Sequence, residues 1–119
     1  MKIKTNLNLL EKNKFVESIM QFGSSLKKKI YRDIDICIFT TKKLTLRQKL
    51  AMERNLPEKY DISFYDDLPI HLRKEVLSGK IIFTNNYLNL LKEMKIVNDE
   101  FVRYELFLKD YHKERMAEI

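Results

Sequence analysis

The segment Asp33–Thr40 (DIDICIFT) constrains the fold more than any other part of the chain. It is dense in isoleucine and phenylalanine and bounded by polar residues, which predicts a buried β-strand. Because successive side chains of a strand point to opposite faces, Asp33 and Asp35 should share one face. The opposite face is expected to point into a core and consists of Ile34, Ile36 and Ile38.

Other segments predict further strands and helices, so we expect an α+β (α/β-like) fold, a small mixed β-sheet flanked by helices. The other predicted strands are Phe15–Phe22, Tyr60–Tyr65 and the short Lys80–Phe83. The predicted helices are Asn6–Lys14, Thr45–Asn55, Ile70–Leu77 and a C-terminal helical segment from about Asn86, with a break near Asn98 and Asp99.

Two apolar patterns predict which faces are buried. The strand Phe15–Phe22 should have one well-buried face, formed by Val16, Ser18, Met20 and Phe22. On the final helix, an apolar stripe at helical spacing consists of Phe101, Tyr104, Leu108 and Tyr111. We expect its tyrosines to cover the core; the alternative is a partner-binding face that also includes Arg103 and Arg115.

Length and composition limit the class of protein. The 119 residues fit one compact domain over 1–119. The formal charge of +6 predicts a solvated, mixed-charge surface, with nucleic-acid binding as the less favoured alternative. Cys37, the only cysteine, lies in an apolar run, so we expect a buried thiol and a reducing environment. Without a signal peptide or an apolar segment long enough to span a bilayer, the expected location is cytoplasmic, away from membranes.

The aspartate pair Asp33 and Asp35 is the first candidate site. Two carboxylates on one face repel each other, which costs stability and raises the pKa of one of them. A bound cation removes that cost, and Mg²⁺ suits the pair because it prefers oxygen ligands and is often completed by substrate phosphates. The alternative is that both are exposed residues at a strand start, without a ligand.

The residues upstream favour the ligand-binding interpretation. A predicted strand ends at Gly23 and Ser24, where glycine allows a close turn whose backbone amides can meet phosphate. The Ser24 hydroxyl can add a donor. Lys27, with the two lysines that follow it, supplies positive charge nearby, although a solvated basic loop is an equal alternative.

A third carboxylate would complete a two-metal site of the kind that acts in phosphoryl or nucleotidyl transfer. Asp61 is the best candidate because it lies near the start of the third predicted strand, which can run beside Asp33–Thr40. Asp66 and Asp67 follow that strand, and a role in the turn before Pro69 is favoured for them.

These residues carry a family resemblance. Phe22-Gly23-Ser24, a basic loop and then Asp33-Ile34-Asp35 resemble the signature of the DNA-polymerase-beta-like nucleotidyltransferase superfamily. The small size and the downstream order are similar to its minimal nucleotidyltransferases. That order comprises Tyr60-Asp61-Ile62, Leu68-Pro69 and Leu77-Ser78-Gly79-Lys80-Ile81.

The resemblance implies a mixed sheet with flanking helices and a single nucleotidyltransferase domain. It also implies Mg²⁺-dependent transfer of a nucleoside monophosphate from a triphosphate such as ATP. Gly23, Ser24 and Lys27 would then bind the nucleotide. Asp33, Asp35 and Asp61 would be the catalytic, metal-binding residues, and Asp61 would help to activate the acceptor hydroxyl.

The resemblance also implies a partner. Minimal nucleotidyltransferases are typically encoded beside a helical HEPN-domain toxin, which they neutralise as antitoxins by modifying a tyrosine or by binding. The expected function is therefore transfer of AMP to a HEPN protein; a small-molecule acceptor is a weaker alternative. The segment 25–32 is shorter than is usual in the family, so a catalytically inactive antitoxin with a vestigial nucleotide site is the main alternative. Homo-oligomerisation is left open.

Overall fold

The structure is a computed structural model, and it describes residues 7–23 and 33–117, with side chains to residue 113. Ser24 and Lys27 of the predicted nucleotide site lie outside the described residues, as does the rest of the segment 24–32. Among the helices that are described, none is long and apolar enough to cross a membrane.

The elements alternate along the chain in the order expected from the sequence. The strands are β1 (Val16–Phe22), β2 (Ile34–Thr40), β3 (Tyr60–Phe64) and β4 (Lys80–Thr84). The α-helices are α1 (Asn8–Glu11), α2 (Leu46–Arg54), α3 (Ile70–Leu77) and α4 (Tyr87–Ala117), and a 3₁₀ turn spans Tyr65–Asp67. The predicted α+β fold with a mixed sheet is confirmed.

The four strands form one sheet in the order β3-β2-β1-β4. β1 pairs antiparallel with both β2 and β4, whereas β2 and β3 are parallel. A parallel pair needs a crossover connection, and α2 supplies it between β2 and β3. This order places β1 and β2, the strands that lead into and out of the segment 24–32, at the centre of the sheet.

Helices cover both faces of the sheet. On the first face, α1 and α2 close a core that includes the predicted isoleucines: Leu7, Leu10, Val16, Ile19, Ile34, Ile36, Ile38, Leu44, Met52, Tyr60 and Phe64. On the second face, α3 and α4 close another: Met20, Cys37, Phe39, Tyr65, Val76, Leu90 and Val97. Asp35 alternates with the isoleucines and therefore lies on the second face.

Val16, Ser18 and Met20 of β1 are buried as predicted, but the expectation of a single buried face is incomplete, because both faces of this strand are covered. Ile19 is fully buried in the first core and Met20 in the second. A bulge between Val16 and Ser18 also shifts the alternation, so Val16 joins Ile19 rather than Met20. A central strand between two helical layers needs two apolar faces, which a single alternating pattern does not anticipate.

Local sequence signals account for the start of α2. The Thr45 hydroxyl accepts a hydrogen bond from the backbone N–H of Gln48, and the Gln48 side chain accepts one from the backbone N–H of Thr45. This capping box satisfies two amides at the helix start. Met52 is the buried residue of α2, while Leu46 is 72% exposed.

The C-terminal helix departs most from expectation. The predicted break near Asn98 and Asp99 is absent, and α4 is one helix of 31 residues. The expectation that its tyrosines cover the core is also wrong, because Tyr104 is 43% and Tyr111 50% exposed. At 1.5 Å per residue the helix is about 46 Å long, longer than the sheet it packs on, so its second half extends past the core.

Cys37 is fully buried on the second face, and burial raises the pKa of its thiol. A thiol reagent needs access to the thiolate, so the native protein should react at least about 100-fold more slowly than the unfolded chain. Measuring the labelling rate with and without denaturant tests this. Fast labelling of the native protein would show that the α3–α4 layer opens readily.

Candidate active site

One edge of the sheet collects the predicted aspartates. β1 ends where the antiparallel β2 begins, and the parallel β3 begins beside β2. In this register Phe22 faces Asp35 on β2, and Asp35 faces Asp61 on β3. The predicted neighbourhood of Asp35 and Asp61 is therefore present, created by a parallel register that directly opposes the two residues.

Asp35 and Asp61 are directly opposed on neighbouring strands, and their carboxyl groups act on each other. The pKa of Asp35 is raised, first by burial, then by the Asp61 charge and the hydrogen bond with Asp61, with smaller contributions from the charges of Asp33 and Glu75. Two carboxylates in contact share a proton or attract a cation. This edge of the sheet is therefore suited to a positively charged ligand.

Gly23 makes the approach to Asp35 possible. Its φ angle is 78°, in the left-handed region that favours glycine. A Cβ atom at this position would overlap the Oδ2 atom of Asp35. The glycine thus allows the chain to turn out of β1 directly against the carboxylate, as the sequence indicated for a backbone that must approach a ligand closely.

The other predicted residues are placed as follows. Asp33 is exposed and immediately precedes β2, next to the pair. Asp66 and Asp67 lie in the 3₁₀ turn beyond the other end of β3, where Lys49 Nζ contacts Asp67 Oδ2 at 2.6 Å. Their turn position supports the structural role that the sequence favoured for them, and they are distant in register from Asp61.

Two residues that sequence reasoning did not assign also shape this edge. Glu75 on α3 adds negative charge that acts on Asp35. Gly79, which the sequence placed in the Leu77-Ser78-Gly79-Lys80-Ile81 family match, leads from α3 into β4, and a Cβ there would overlap the backbone carbonyl oxygen of Gln21. The Ser78-Gly79 pair directly after a predicted helix was a sequence signal for a tight turn at Gly79. No sequence signal links Glu75 to the aspartates.

The carboxylates at this edge of the sheet can supply part of the ligand set of a Mg²⁺ ion. Within residues 7–23 and 33–117, no three His, Cys, Asp or Glu side chains form a ready metal-binding group. The Asp35–Asp61 pair nevertheless offers hard oxygen donors whose mutual repulsion a divalent cation relieves. Mg²⁺ is commonly held by one or two carboxylates together with waters and substrate phosphates, so a pair of protein ligands is a suitable number.

Comparison with known proteins identifies the family. Residues 4–88 match the family described as polymerase beta, nucleotidyltransferase, which covers both aspartate-bearing strands. The chain belongs to this nucleotidyltransferase family. No curated protein matches it.

Solved structures share the fold of this nucleotidyltransferase. A toxin–antitoxin structure with AMP-PNP is 19% identical, with a TM-score of 0.67 over 97% of this chain and 96% of the other. A structure of a tri-AMPylated Shewanella oneidensis HEPN toxin in complex with MNT antitoxin is 18% identical, with a TM-score of 0.65 over 97% of this chain and 98% of the other. A structure of the toxin–antitoxin MntA–HepT is 17% identical, with a TM-score of 0.62 over 93% of this chain and 94% of the other. At these identities the similarity establishes the fold.

Proposed function

We propose that this nucleotidyltransferase transfers AMP from ATP to a hydroxyl group of a HEPN-domain toxin and thereby acts as its antitoxin. The Asp35–Asp61 pair beside Gly23 carries the proposal, because a chain of this family places two neighbouring carboxylates at the sheet edge where Gly23 turns the backbone against Asp35. A cytoplasmic location, where ATP and Mg²⁺ are available, is part of the proposal.

The solved relatives support the choice of nucleotide and acceptor. One of them contains AMP-PNP, an ATP analogue, and another contains an AMPylated HEPN toxin together with an MNT antitoxin. Both properties belong to those proteins. We propose the same nucleotide and acceptor for this chain because it shares the fold and carries aspartates at the sheet edge.

The proposed reaction assigns a role to each site residue. Asp33, Asp35 and Asp61 would hold Mg²⁺, and the ion would supply positive charge that neutralises the triphosphate. The exposed Asp61 takes the proton of the acceptor hydroxyl as the oxygen forms a bond to the α-phosphorus of ATP. The bond between the α-phosphorus and the bridging oxygen breaks, and pyrophosphate leaves.

In this proposal, residues at and after the end of β1 bind the nucleotide. The backbone of Gly23 turns towards the aspartates and, with Ser24 and Lys27, binds the triphosphate in this proposal. The alternative function is a catalytically inactive antitoxin that binds its partner without modifying it. The shortened segment 25–32 favours this alternative, because it limits how these phosphate-binding residues can be placed.

The position of a phosphate label in ATP distinguishes the transferase from the inactive antitoxin. The protein is incubated with Mg²⁺, ATP and a purified HEPN-domain protein as the proposed acceptor. Label on the α-phosphate should appear on the HEPN protein, while label on the γ-phosphate should leave with pyrophosphate. If the two proteins form a tight complex but no α-label is transferred, the transferase proposal is wrong and the inactive antitoxin is supported.

Asp33→Asn tests the metal site without removing the acceptor base. Mg²⁺–ATP affinity measured by calorimetry should fall by at least about tenfold, equivalent to ~1.4 kcal/mol, because a ligand charge is lost. Thermal stability should be unchanged or slightly higher, since one repulsive charge is gone. The matched control is Asp67→Asn, which removes a carboxylate away from the site and should leave ATP affinity unchanged. Equal ATP affinity with and without Mg²⁺ in the wild type would contradict the site.

A further inference from the structure

The second half of α4 exposes an unusual amount of apolar surface. Six large apolar side chains within residues 102–111 are exposed: Val102, Tyr104, Leu106, Phe107, Leu108 and Tyr111. Exposed apolar surface on this scale marks an interaction site. The first half of α4 also exposes apolar side chains, but it is anchored on the second core through Leu90 and Val97.

The exposed residues of this half surround the helix instead of forming one stripe. At 3.6 residues per turn, Tyr104 and Leu108 are about 40° apart around the helix axis. Leu106 lies about 160° from Leu108, on nearly the opposite side. A helix that is apolar on all sides is normally buried on all sides. The complement to this segment must therefore contact more than one side of it.

The extension leaves the fold at the edge that carries the aspartates. α4 starts near the beginning of β1, where the Asn86 side chain donates a hydrogen bond to Glu17. Further on, its residues 94–98 lie beside Leu77 and Ser78, which lead through Gly79 to the start of β4. That start pairs with Gln21, two residues before Gly23. The segment beyond 98 thus projects from the aspartate edge.

Hydrogen bonds fix the direction of this projection. The Tyr65 hydroxyl donates a hydrogen bond to Glu93 Oε1 at 2.9 Å, and Lys74 Nζ donates one to Asn98 Oδ1 at 2.7 Å. These contacts tie α4 to the 3₁₀ turn and to α3 immediately before the exposed half begins. A protein bound to that half is therefore held in a set orientation to Asp35 and Asp61.

We infer that residues 101–113 of α4 form the docking segment for the acceptor protein. At least two helices of the acceptor protein enclose this segment. The inference rests on the proposed function for the identity of the partner, a HEPN protein. Glu100 and Glu105 lie on either side of the Tyr104–Leu108 face, so the partner helices should carry apolar residues bordered by Lys or Arg.

A second copy of this chain fits the segment poorly. One equivalent helix would cover one side and leave either Leu106 or Leu108 in water. An antiparallel pairing that opposes Tyr104 with Leu108 of the second copy would also bring both Glu105 side chains to the same edge of the interface. Like charges placed together in this way weaken pairing. A partner with two different helices avoids both problems.

Charge substitutions within the segment test the inference. Leu106→Glu and Leu108→Glu should each weaken binding of the purified HEPN protein at least 100-fold in calorimetry, because each buries a carboxylate in an apolar contact. Mg²⁺–ATP affinity and the helical circular dichroism signal should stay at wild-type levels, since both side chains are 44% exposed or more. Leu46→Glu, at an exposed position of α2, is the matched control and should bind like the wild type.

The outcomes separate this inference from the proposed function. Wild-type partner affinity in both α4 variants would overturn the docking segment, even if AMP transfer by the wild type is observed. Loss of binding in both variants with no transfer by the wild type would support the docking segment and reject the transferase. If the wild type alone sediments as a dimer and Leu108→Glu is monomeric, the segment is a self-interface and the inference is wrong.

Discussion

Replacing Asp61 with alanine should reduce AMP transfer to the HEPN protein by about 10²–10⁴-fold, the usual contribution of a positioned general base. Asp61 is exposed at the start of β3 and contacts Asp35, so it can reach an incoming hydroxyl from the solvent side. ATP affinity should fall much less, because proton removal matters mainly in the transition state. Transfer rates with α-labelled ATP, measured beside ATP binding by calorimetry, give both quantities.

Two variants control for the loss of transfer. Asp61→Asn keeps the shape of the side chain and should be nearly as inactive as alanine. Ser24→Ala should reduce transfer less, since backbone amides near Gly23 would still contact phosphate in the proposed site. If Ser24→Ala abolishes transfer while Asp61→Ala does not, the base is assigned to the wrong residue.

Gly23→Ala should damage both stability and catalysis. Its φ of 78° costs an alanine about 1–2 kcal/mol of folding free energy. The new Cβ would also overlap Asp35 Oδ2, so the carboxylate must move from its present position beside Asp61. We expect transfer to fall at least about 100-fold, equivalent to ~2.7 kcal/mol, because a small displacement of catalytic groups is costly.

Denaturant unfolding and transfer assays on Gly23→Ala measure the two effects separately. Gly23→Asn provides the comparison, because asparagine tolerates a positive φ better than alanine but still carries a Cβ. It should recover part of the stability and none of the transfer. Recovery of full transfer in Gly23→Asn would show that contact with Asp35 is not the reason for the glycine.

The sequence predicted the centre of this fold well. The alternation in β2 correctly separated Ile36 from Asp35, because a strand has a fixed two-residue period and strongly apolar residues on one side. The strand at Tyr60–Phe64 could be placed beside β2, which brought Asp61 to Asp35. The register itself depends on the parallel pairing, and periodicity alone does not determine it.

Other features depend on contacts that local patterns do not contain. The spacing of Tyr104 and Leu108 is the same whether the stripe faces a core or water, so the exposure of α4 could not be predicted. The two covered faces of β1 follow from its central place in the sheet. The link between Glu75 and Asp35 joins residues far apart in sequence, on an exposed helix position with no distinguishing neighbours.

The uneven packing of α4 makes its stability uneven too. Through Val97 the helix can open only with the second core, so its opening free energy should approach that of global unfolding. Beyond Asn98, which accepts a hydrogen bond from Lys74, the side chains of residues 102–113 are exposed, so mainly the bonds within the helix oppose fraying there, and such an unsupported helix is only marginally stable in water. A partner that orders this end spends part of its binding energy on the ordering, and without the partner the helix is a protease-sensitive end on an otherwise stable domain.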